Sequence, residues 1–369
     1  MKKKIVIVGA GPAGIGLGIL LKKLKINDFV ILERDQVGST FFNWPNEMKL
    51  LTPSFTGHGF GALDLNAITP ETSPAYTFKK EHLTGQEYGE YLSLLAEHFD
   101  LPVYENVNVE HVERKKSFIL YTSDGMIEAD QLIWAAGEFN FPNARPFEGA
   151  GYAIHSSQVQ SWEAFEKNEY TIIGGYESGI DAASHLISSG NSATIFSRTE
   201  AWKPNEADPS LSLSPYTYER LKTAMATKKL RLIGGSEVTG ITKEQSGYQL
   251  LLADGATYFS KTKPILATGF LSGAKQIESF FEWREDGLPH LTENDESTIV
   301  SNLFLIGPSV RQQAVIFCFI YKFRQRFAVV AKEVITRLGL DCDEKVFDTY
   351  RRNQMFLDDL SCCGVECEC

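Results

Sequence analysis

The chain has 369 residues, 43% hydrophobic and 22% charged, proportions that exclude a fibrous repeat and a wholly disordered chain. At roughly 100–200 residues per domain, this length points to two domains. The formal charge of −11 lacks the basic footprint of a nucleic-acid binder, and the longest fully apolar run, Ala314 to Tyr321, is eight residues. A membrane-spanning helix needs about 20, so no membrane insertion is expected.

Lys2-Lys3-Lys4 followed by apolar Ile5 to Leu21 has the outline of a secretory signal. Gly9, Gly11, Pro12, Gly14, Gly16 and Gly18 interrupt that stretch, and Leu24 to Leu32 runs straight into another strand. A cytoplasmic location is therefore expected. Cysteine use agrees, because none of the six cysteines precedes Cys318 and a secreted disulfide scaffold would spread them.

Ile5-Val6-Ile7-Val8 reads as a buried parallel strand, ending in the G-x-G-x-x-G of Gly9-Ala10-Gly11-Pro12-Ala13-Gly14. Leu17, Leu20, Leu21 and Leu24 then follow at helical spacing, and Phe29-Val30-Ile31-Leu32 forms a second strand ending at Glu33. Gly9 permits the tight turn, Gly11 lets backbone approach a pyrophosphate, and Gly14 lets helix and strand pack closely. The helix N-terminus faces the phosphates, and Glu33 stands where a carboxylate accepts from ribose hydroxyls.

The pattern recurs. Tyr170-Thr171-Ile172-Ile173 leads into Gly174-Gly175-Tyr176-Glu177-Ser178-Gly179, then a helix, then Ala193-Thr194-Ile195-Phe196 ending at Ser197-Arg198. Aligning Gly9 with Gly174 places Arg198 opposite Glu33. A guanidinium there suits a 2′-phosphate and hence NADPH. Tyr176 replaces the middle glycine, so the loop is expected to be displaced, or the dinucleotide to bind weakly or in another pose.

The duplication extends to two hairpin signals. Asp124-Gly125 precedes strand Leu132-Ile133-Trp134 and Ala135-Ala136-Gly137; Asp254-Gly255 precedes Pro264-Ile265-Leu266 and Ala267-Thr268-Gly269. The first unit carries a surplus placed between Phe41 and Gly85. The expected fold is α/β, with two Rossmann-like dinucleotide-binding domains and small antiparallel β-meanders. Residues 1–145 and 289–369 form the first domain and 146–288 the second.

On these motifs, with Gly38-Ser39-Thr40 to Trp44, Leu50-Leu51-Thr52-Pro53, His155-Ser156-Ser157 and Phe304-Leu305-Ile306-Gly307, the chain resembles the two-dinucleotide-binding-domain flavoproteins. It is most similar to small bacterial flavin-containing monooxygenase-like proteins found near cation-efflux systems. The resemblance implies FAD under the N-terminal unit and a return strand ending at Gly307 near the flavin. The FAD residues are then Gly9, Gly11, Pro12, Ala13, Gly14, Glu33, Arg34, Trp44, Val109, Ala136, Gly137, Gly307 and Pro308. Those for NADPH are Gly174, Glu177, Ser178, Gly179, Ser197, Arg198, Thr268 and Gly269. The family's phenylalanine-glycine-histidine fingerprint is only approximate across Phe147, Gly149, His155 and Trp162, and Pro308 stands where an acidic residue is usual.

The implied cycle passes hydride from NADPH to the flavin and on to an acceptor. In one reading dioxygen is used to oxygenate a small organic substrate. In another the acceptor is a disulfide or soft metal, and in a third the flavoprotein binds or senses metal without turnover. No C-x-x-C occurs anywhere and position 13 is Ala13, so a dithiol relay in the core is excluded. Cys362, Cys363, Cys367 and Cys369 crowd the C-terminus, suiting a soft metal ion or a disulfide shuttle.

Asn43, Trp44, Thr52 and His155 are the catalytic candidates, His155 being read either as a hinge that helps orient the NADPH domain or as a hydrogen-bonded interdomain histidine. Asn43, Trp44, Thr52, Ser54, Phe55, Phe60, Phe317, Phe319 and Tyr321 are candidates for an aromatic substrate wall, with core packing as the alternative. Tyr350-Arg351-Arg352 reads as a solvated face. A homodimer is left open.

Overall fold

The computed structural model describes residues 1–57, 63–203, 208 and 210–360. The chain divides into two compact units: Met1–Phe42, Pro53–Asn140 and Ser272–Cys369 form the first, Asn43–Thr52 and Phe141–Leu271 the second.

In the first unit β1 (Lys2–Val8) leads into α1 (Pro12–Lys23) and β2 (Phe29–Leu32), with Pro12 in the first turn of α1, where its missing N–H costs nothing. Then come α2 (Ser39–Phe42), α3 (Pro74–Phe78) and α4 (Gly85–His98). A reciprocal cap between Thr84 and Glu87 starts α4. Next are β3 (Val103–Tyr104), β4 (Val109–Arg114), β5 (Phe118–Thr122) and β6 (Gly125–Trp134). The sheet order is β3-β2-β1-β6-β5-β4, parallel from β3 to β6 and antiparallel across β6-β5-β4. Ile5, Val6 and Ile7 are wholly buried, as an unbroken apolar run in a parallel sheet requires.

The second unit contains β7 (Ile154–His155), β8 (Glu169–Ile173), α5 (Glu177–Ser188), β9 (Ser192–Phe196), α6 (Pro215–Ala226) and β10 (Leu230–Ile233). After them come β11 (Val238–Lys243), β12 (Tyr248–Leu252), β13 (Thr257–Ser260) and β14 (Ile265–Leu266). A parallel five-stranded sheet runs β10-β9-β8-β14-β7, and β11-β12-β13 form an antiparallel meander. Trp162, Ile172, Ile180, Leu186, Ile195 and Ile265 pack in its core. The segment 43–52 joins this unit through Glu47, whose carboxylate accepts from the Ser161 hydroxyl and from the amides of Trp162 (3.1 Å) and Glu163 (3.4 Å).

The chain returns to the first sheet with β15 (Leu303–Leu305), parallel to β6, followed by a short hairpin of β16 (Arg311–Gln312) and β17 (Val315–Ile316). Helices α7 (Ile320–Phe323), α8 (Phe327–Leu338) and α9 (Glu344–Arg352) complete the described chain. Helix α8 lies against α1, where a Cβ on Gly16 would come within 2.2 Å of the Phe327 ring. Gly16, one of the glycines that break the apolar pattern of α1, therefore permits close helix packing. Asp295 and Arg326 form a fully buried ion pair (2.8 Å), with Gln312 donating to the other Asp295 oxygen at 2.6 Å. Tyr350, expected on a solvated face, is buried with Lys23 over its ring, whereas Arg351 and Arg352 are exposed. Among the described residues no helix is long and apolar enough to cross a membrane.

Candidate functional site

The two glycine turns share one geometry. Gly9 has φ +107° and Gly174 φ +110°, a region open to glycine without strain. Gly9 donates to Leu32 O and Gly174 to Phe196 O, both at 2.8 Å. A Cβ on Gly14 would lie 2.0 Å from the Gly9 carbonyl oxygen, and one on Gly179 would lie 2.0 Å from that of Gly174. Each helix is thus drawn onto its strand by a contact only glycine allows.

Tyr176 does not displace the second loop. Its backbone (φ −105°, ψ −159°) is extended, as is that of Gly11 (φ −80°, ψ −171°), so the position accepts any residue. The Tyr176 hydroxyl donates to Ser212 O at 2.8 Å.

Helices α1 and α5 both begin without a side-chain cap, whereas α3, α4, α6 and α9 are capped by Ser73, Thr84, Ser214 and Asp343. Their first N–H groups are therefore available to an anion. At Gly11 a Cβ would meet nothing within 4 Å, which marks an open approach to the α1 N-terminus. Glu177 opens α5, and its carboxylate turns to the Ser214 amide and hydroxyl; burial raises its pKa, against the pull of those hydrogen bonds.

Glu33 is buried at the end of β2, accepting from Ala10 N (2.8 Å), Asp35 N (3.0 Å) and the Ser39 hydroxyl (3.3 Å). A carboxylate offers about four acceptor positions, so one remains for a ribose hydroxyl. Ser39 was not foreseen as a partner of Glu33. Arg198, two residues past β9, has its side chain 78% exposed and 3.8 Å from Glu237, an arrangement that leaves the guanidinium accessible.

The second halves of the two units also correspond. Ala135 donates to Val8 O and Ala267 to Ile173 O, each at 2.8 Å, and Gly137 and Gly269 follow with φ +66° and +78°. Gly307, at the end of β15, sits beside the first turn of α1: a Cβ there would be 3.6 Å from that of Ala13. Ser309, two residues on, is 3% exposed, and its hydroxyl has no hydrogen-bond partner among the described residues. It was not singled out in the sequence; a lone buried hydroxyl becomes visible only once its surroundings are known.

Among the other sequence candidates, Pro308 O accepts from Arg311, Arg34 pairs with Asp35, and Val109 opens β4 in a buried position. Ser197 donates to Ile233 O at 3.0 Å, and the Thr268 hydroxyl to Asn143 O at 2.7 Å. Ser178 lies in the first turn of α5, and Ala136 follows β6. Asn43, Trp44 and Thr52 belong to the second unit. His155 is 1% exposed; the Ser157 amide donates to its Nδ1 (3.2 Å), so Nε2 carries the proton and donates to Gly269 O (3.1 Å). Burial lowers its pKa against that second bond, favouring the neutral ring.

Of the proposed substrate wall, Phe317 is core, Ser54 is buried and accepts from Asn66, and Phe55 is exposed. Phe319 and Tyr321 stack with centroids 5.6 Å apart. Phe60, Cys362, Cys363, Cys367 and Cys369 lie outside the described residues. Among the described residues no group of three or more His, Cys, Asp or Glu side chains is placed to hold a metal.

Residues 6–307 match the pyridine nucleotide-disulphide oxidoreductase family. An uncharacterised CzcO-like oxidoreductase of Geobacillus kaustophilus is 24% identical over 187 residues, 49% of this chain and 51% of that protein. The chain thus spans about half the length of that curated relative. Two solved structures are similar: the bacillithiol disulfide reductase Bdr of Staphylococcus aureus (TM-score 0.75, 20% identity, 91% of this chain and 99% of that one) and a flavin-containing monooxygenase of Stenotrophomonas maltophilia (TM-score 0.72, 16% identity, 91% and 99%). Both share the two-unit α/β architecture, and the family match extends from β1 to the glycine that ends β15. The chain belongs to the pyridine nucleotide-disulphide oxidoreductase family.

Proposed function

We propose that the chain binds FAD in its first unit and NADPH in its second, and uses the reducing equivalents with dioxygen to oxygenate a small organic substrate. The observation that carries the nucleotide reading is the pair of matching glycine turns, one closed by buried Glu33 and the other by exposed Arg198. An anionic pyrophosphate suits each uncapped helix start, and Arg198 offers a cation to a 2′-phosphate. The residues of the first unit fit FAD: Gly11 leaves the approach open, Glu33 keeps an acceptor position, and Ser309 holds a buried hydroxyl with no described partner.

When bound, the flavin supplies two-electron chemistry; the protein supplies binding, orientation and access. Glu33 holds the adenosine ribose, the α1 amides hold the pyrophosphate, and Arg198 selects the phosphorylated nicotinamide nucleotide. The purified protein is expected to be yellow and to bleach under NADPH without oxygen. A flavin that NADPH leaves oxidised would overturn the hydride-input assignment.

A second reading, NADPH-dependent disulfide reduction, is favoured by the likeness to Bdr over nine-tenths of the chain and by the cysteines that crowd the C-terminus. Replacing Cys362 and Cys363 with serine separates the two: the oxygenase keeps substrate-stimulated oxygen uptake, whereas the reductase loses anaerobic turnover.

A further inference from the structure

Ser197-Arg198-Thr199-Glu200-Ala201-Trp202-Lys203 leaves the carboxyl end of β9 as a largely polar run that carries one large ring. The run folds back over the carboxyl edge of its sheet, where open α/β sheets bind ligands. A Cβ on Gly175, just beyond β8, would lie 2.7 Å from Cζ3 of the Trp202 indole and 2.7 Å from the Ser197 Cβ. A Cβ on Gly234, just beyond β10, would run into the Glu200 side chain. Trp202 is half-buried, seated on the second glycine turn and packed against the core that holds Ile180 and Ile195.

In the first unit the chain also returns to its glycine turn after the terminal charge, with Gly38 donating to Ala10 O at 3.1 Å. Ala10 and Val37 stand there where the second unit has Gly175 and Trp202. The second turn has thus given up a methyl group and received an indole in the space above it. Packing alone does not call for that exchange, since alanine and valine, both buried, close the same place in the first unit. A nucleotide with its pyrophosphate on the α5 amides and its 2′-phosphate on Arg198 carries its adenosine between those two points. The indole lies there: the same point above Gly175 is 2.7 Å from the ring and 2.7 Å from Ser197, the residue before Arg198.

We propose that Trp202 is the platform on which the adenine of the nicotinamide nucleotide stacks. The proposal rests on the NADPH reading of the second unit and not on the choice of electron acceptor. An indole presents a broad, rigid π-face, and a purine stacks on it whatever its ribose carries. The two residues then divide recognition between them. Trp202 holds the base that NADPH and NADH share, and Arg198 chooses between the two by the 2′-phosphate. Loss of the ring therefore lowers affinity for both nucleotides alike, whereas loss of the guanidinium changes their ratio.

The test uses the FAD-loaded, oxidised protein, titrated calorimetrically with NADP⁺, NAD⁺ and 2′,5′-ADP, which share the adenosine. Trp202→Leu keeps an apolar side chain against the core but offers no ring face. It is expected to weaken all three ligands by the same factor, about tenfold or more, with the ratio of NADP⁺ to NAD⁺ affinity as in wild type. Trp202→Phe should restore binding to within about threefold of wild type. In the wild type 2′,5′-ADP should quench tryptophan emission, and the quench should be absent from Trp202→Phe although the ligand still binds, a signature that a packing role alone would not give. Unchanged or tighter binding by Trp202→Leu overturns the proposal, as does a loss confined to the 2′-phosphorylated ligands. A quench that survives in Trp202→Phe also overturns it, and decides the case even where the leucine variant does not fold. Wild-type protein that binds none of the three ligands overturns the NADPH reading of the second unit and the proposal together, whereas wild-type binding that Trp202→Leu leaves intact overturns the proposal alone.

Discussion

Tyr176 occupies in the second glycine turn the place that Gly11 occupies in the first, and both residues have the same extended backbone. The conformation of this turn therefore does not itself require a glycine at the middle position. With its hydroxyl held by Ser212 O, Tyr176 is anchored in the second unit. Tyr176→Phe should cost about 0.5–1.5 kcal/mol in thermal unfolding and leave NADPH affinity within about threefold. A loss beyond tenfold would mean that the hydroxyl takes part in binding.

Gly14 and Gly179 offer a matched pair of substitutions. A methyl group on either meets a carbonyl oxygen at 2.0 Å, and the backbone must move. Gly14→Ala should yield protein with little bound flavin, and Gly179→Ala protein that is yellow but reduced slowly by NADPH. Each change should cost roughly 1–3 kcal/mol of stability. Equal loss of colour in both variants would contradict the assignment of one nucleotide to each unit.

Arg198 is exposed enough that replacing it should hardly affect folding, within about 0.5 kcal/mol. Arg198→Glu should weaken NADPH by about 10–100-fold, the value of a charge-assisted bond, and turn the preference toward NADH. Kd values for both nucleotides, measured at one ionic strength, check this.

His155 carries a pH dependence of definite sign. The unfolded chain protonates this ring as pH falls through about 6.5, whereas the folded protein keeps it neutral to lower pH. Its contribution is therefore complete above that value and lost as pH falls toward the lowered folded pKa. Melting curves from pH 8 to 5 should show wild type losing its advantage over His155→Gln on acidification. A constant difference would count against the neutral, Gly269-bonded ring.

Asp295 and Arg326 are joined away from solvent, so removing one charge strands the other. Asp295→Asn should cost about 3–5 kcal/mol, and calorimetry of the holoprotein reads it directly.

Much of this architecture was legible because it obeys local rules. Strand, glycine turn, helix and terminal charge recur in fixed order, and the backbone torsions at Gly9 and Gly174 are the physical content of that motif. Arg198 and Glu33 could be found by register alone. Ser39 and Ser309 could not, since what sets each apart is its surroundings after folding. Gly16 carries no local sign of its role either: its missing side chain is demanded by Phe327, a residue more than three hundred positions away. Tyr350 likewise carries no local sign that it will lie beneath Lys23.

Residues 43–52 have a practical corollary. The backbone passes between the units at 42/43, 52/53, 140/141 and 271/272, so the second unit is not one contiguous cassette. A gene fragment encoding 141–271 alone would leave Glu47 behind and strip Ser161 and Trp162 of their acceptor. Transplanting this half into another scaffold requires carrying the ten-residue strip along, as a supplied peptide or through a rewired chain order.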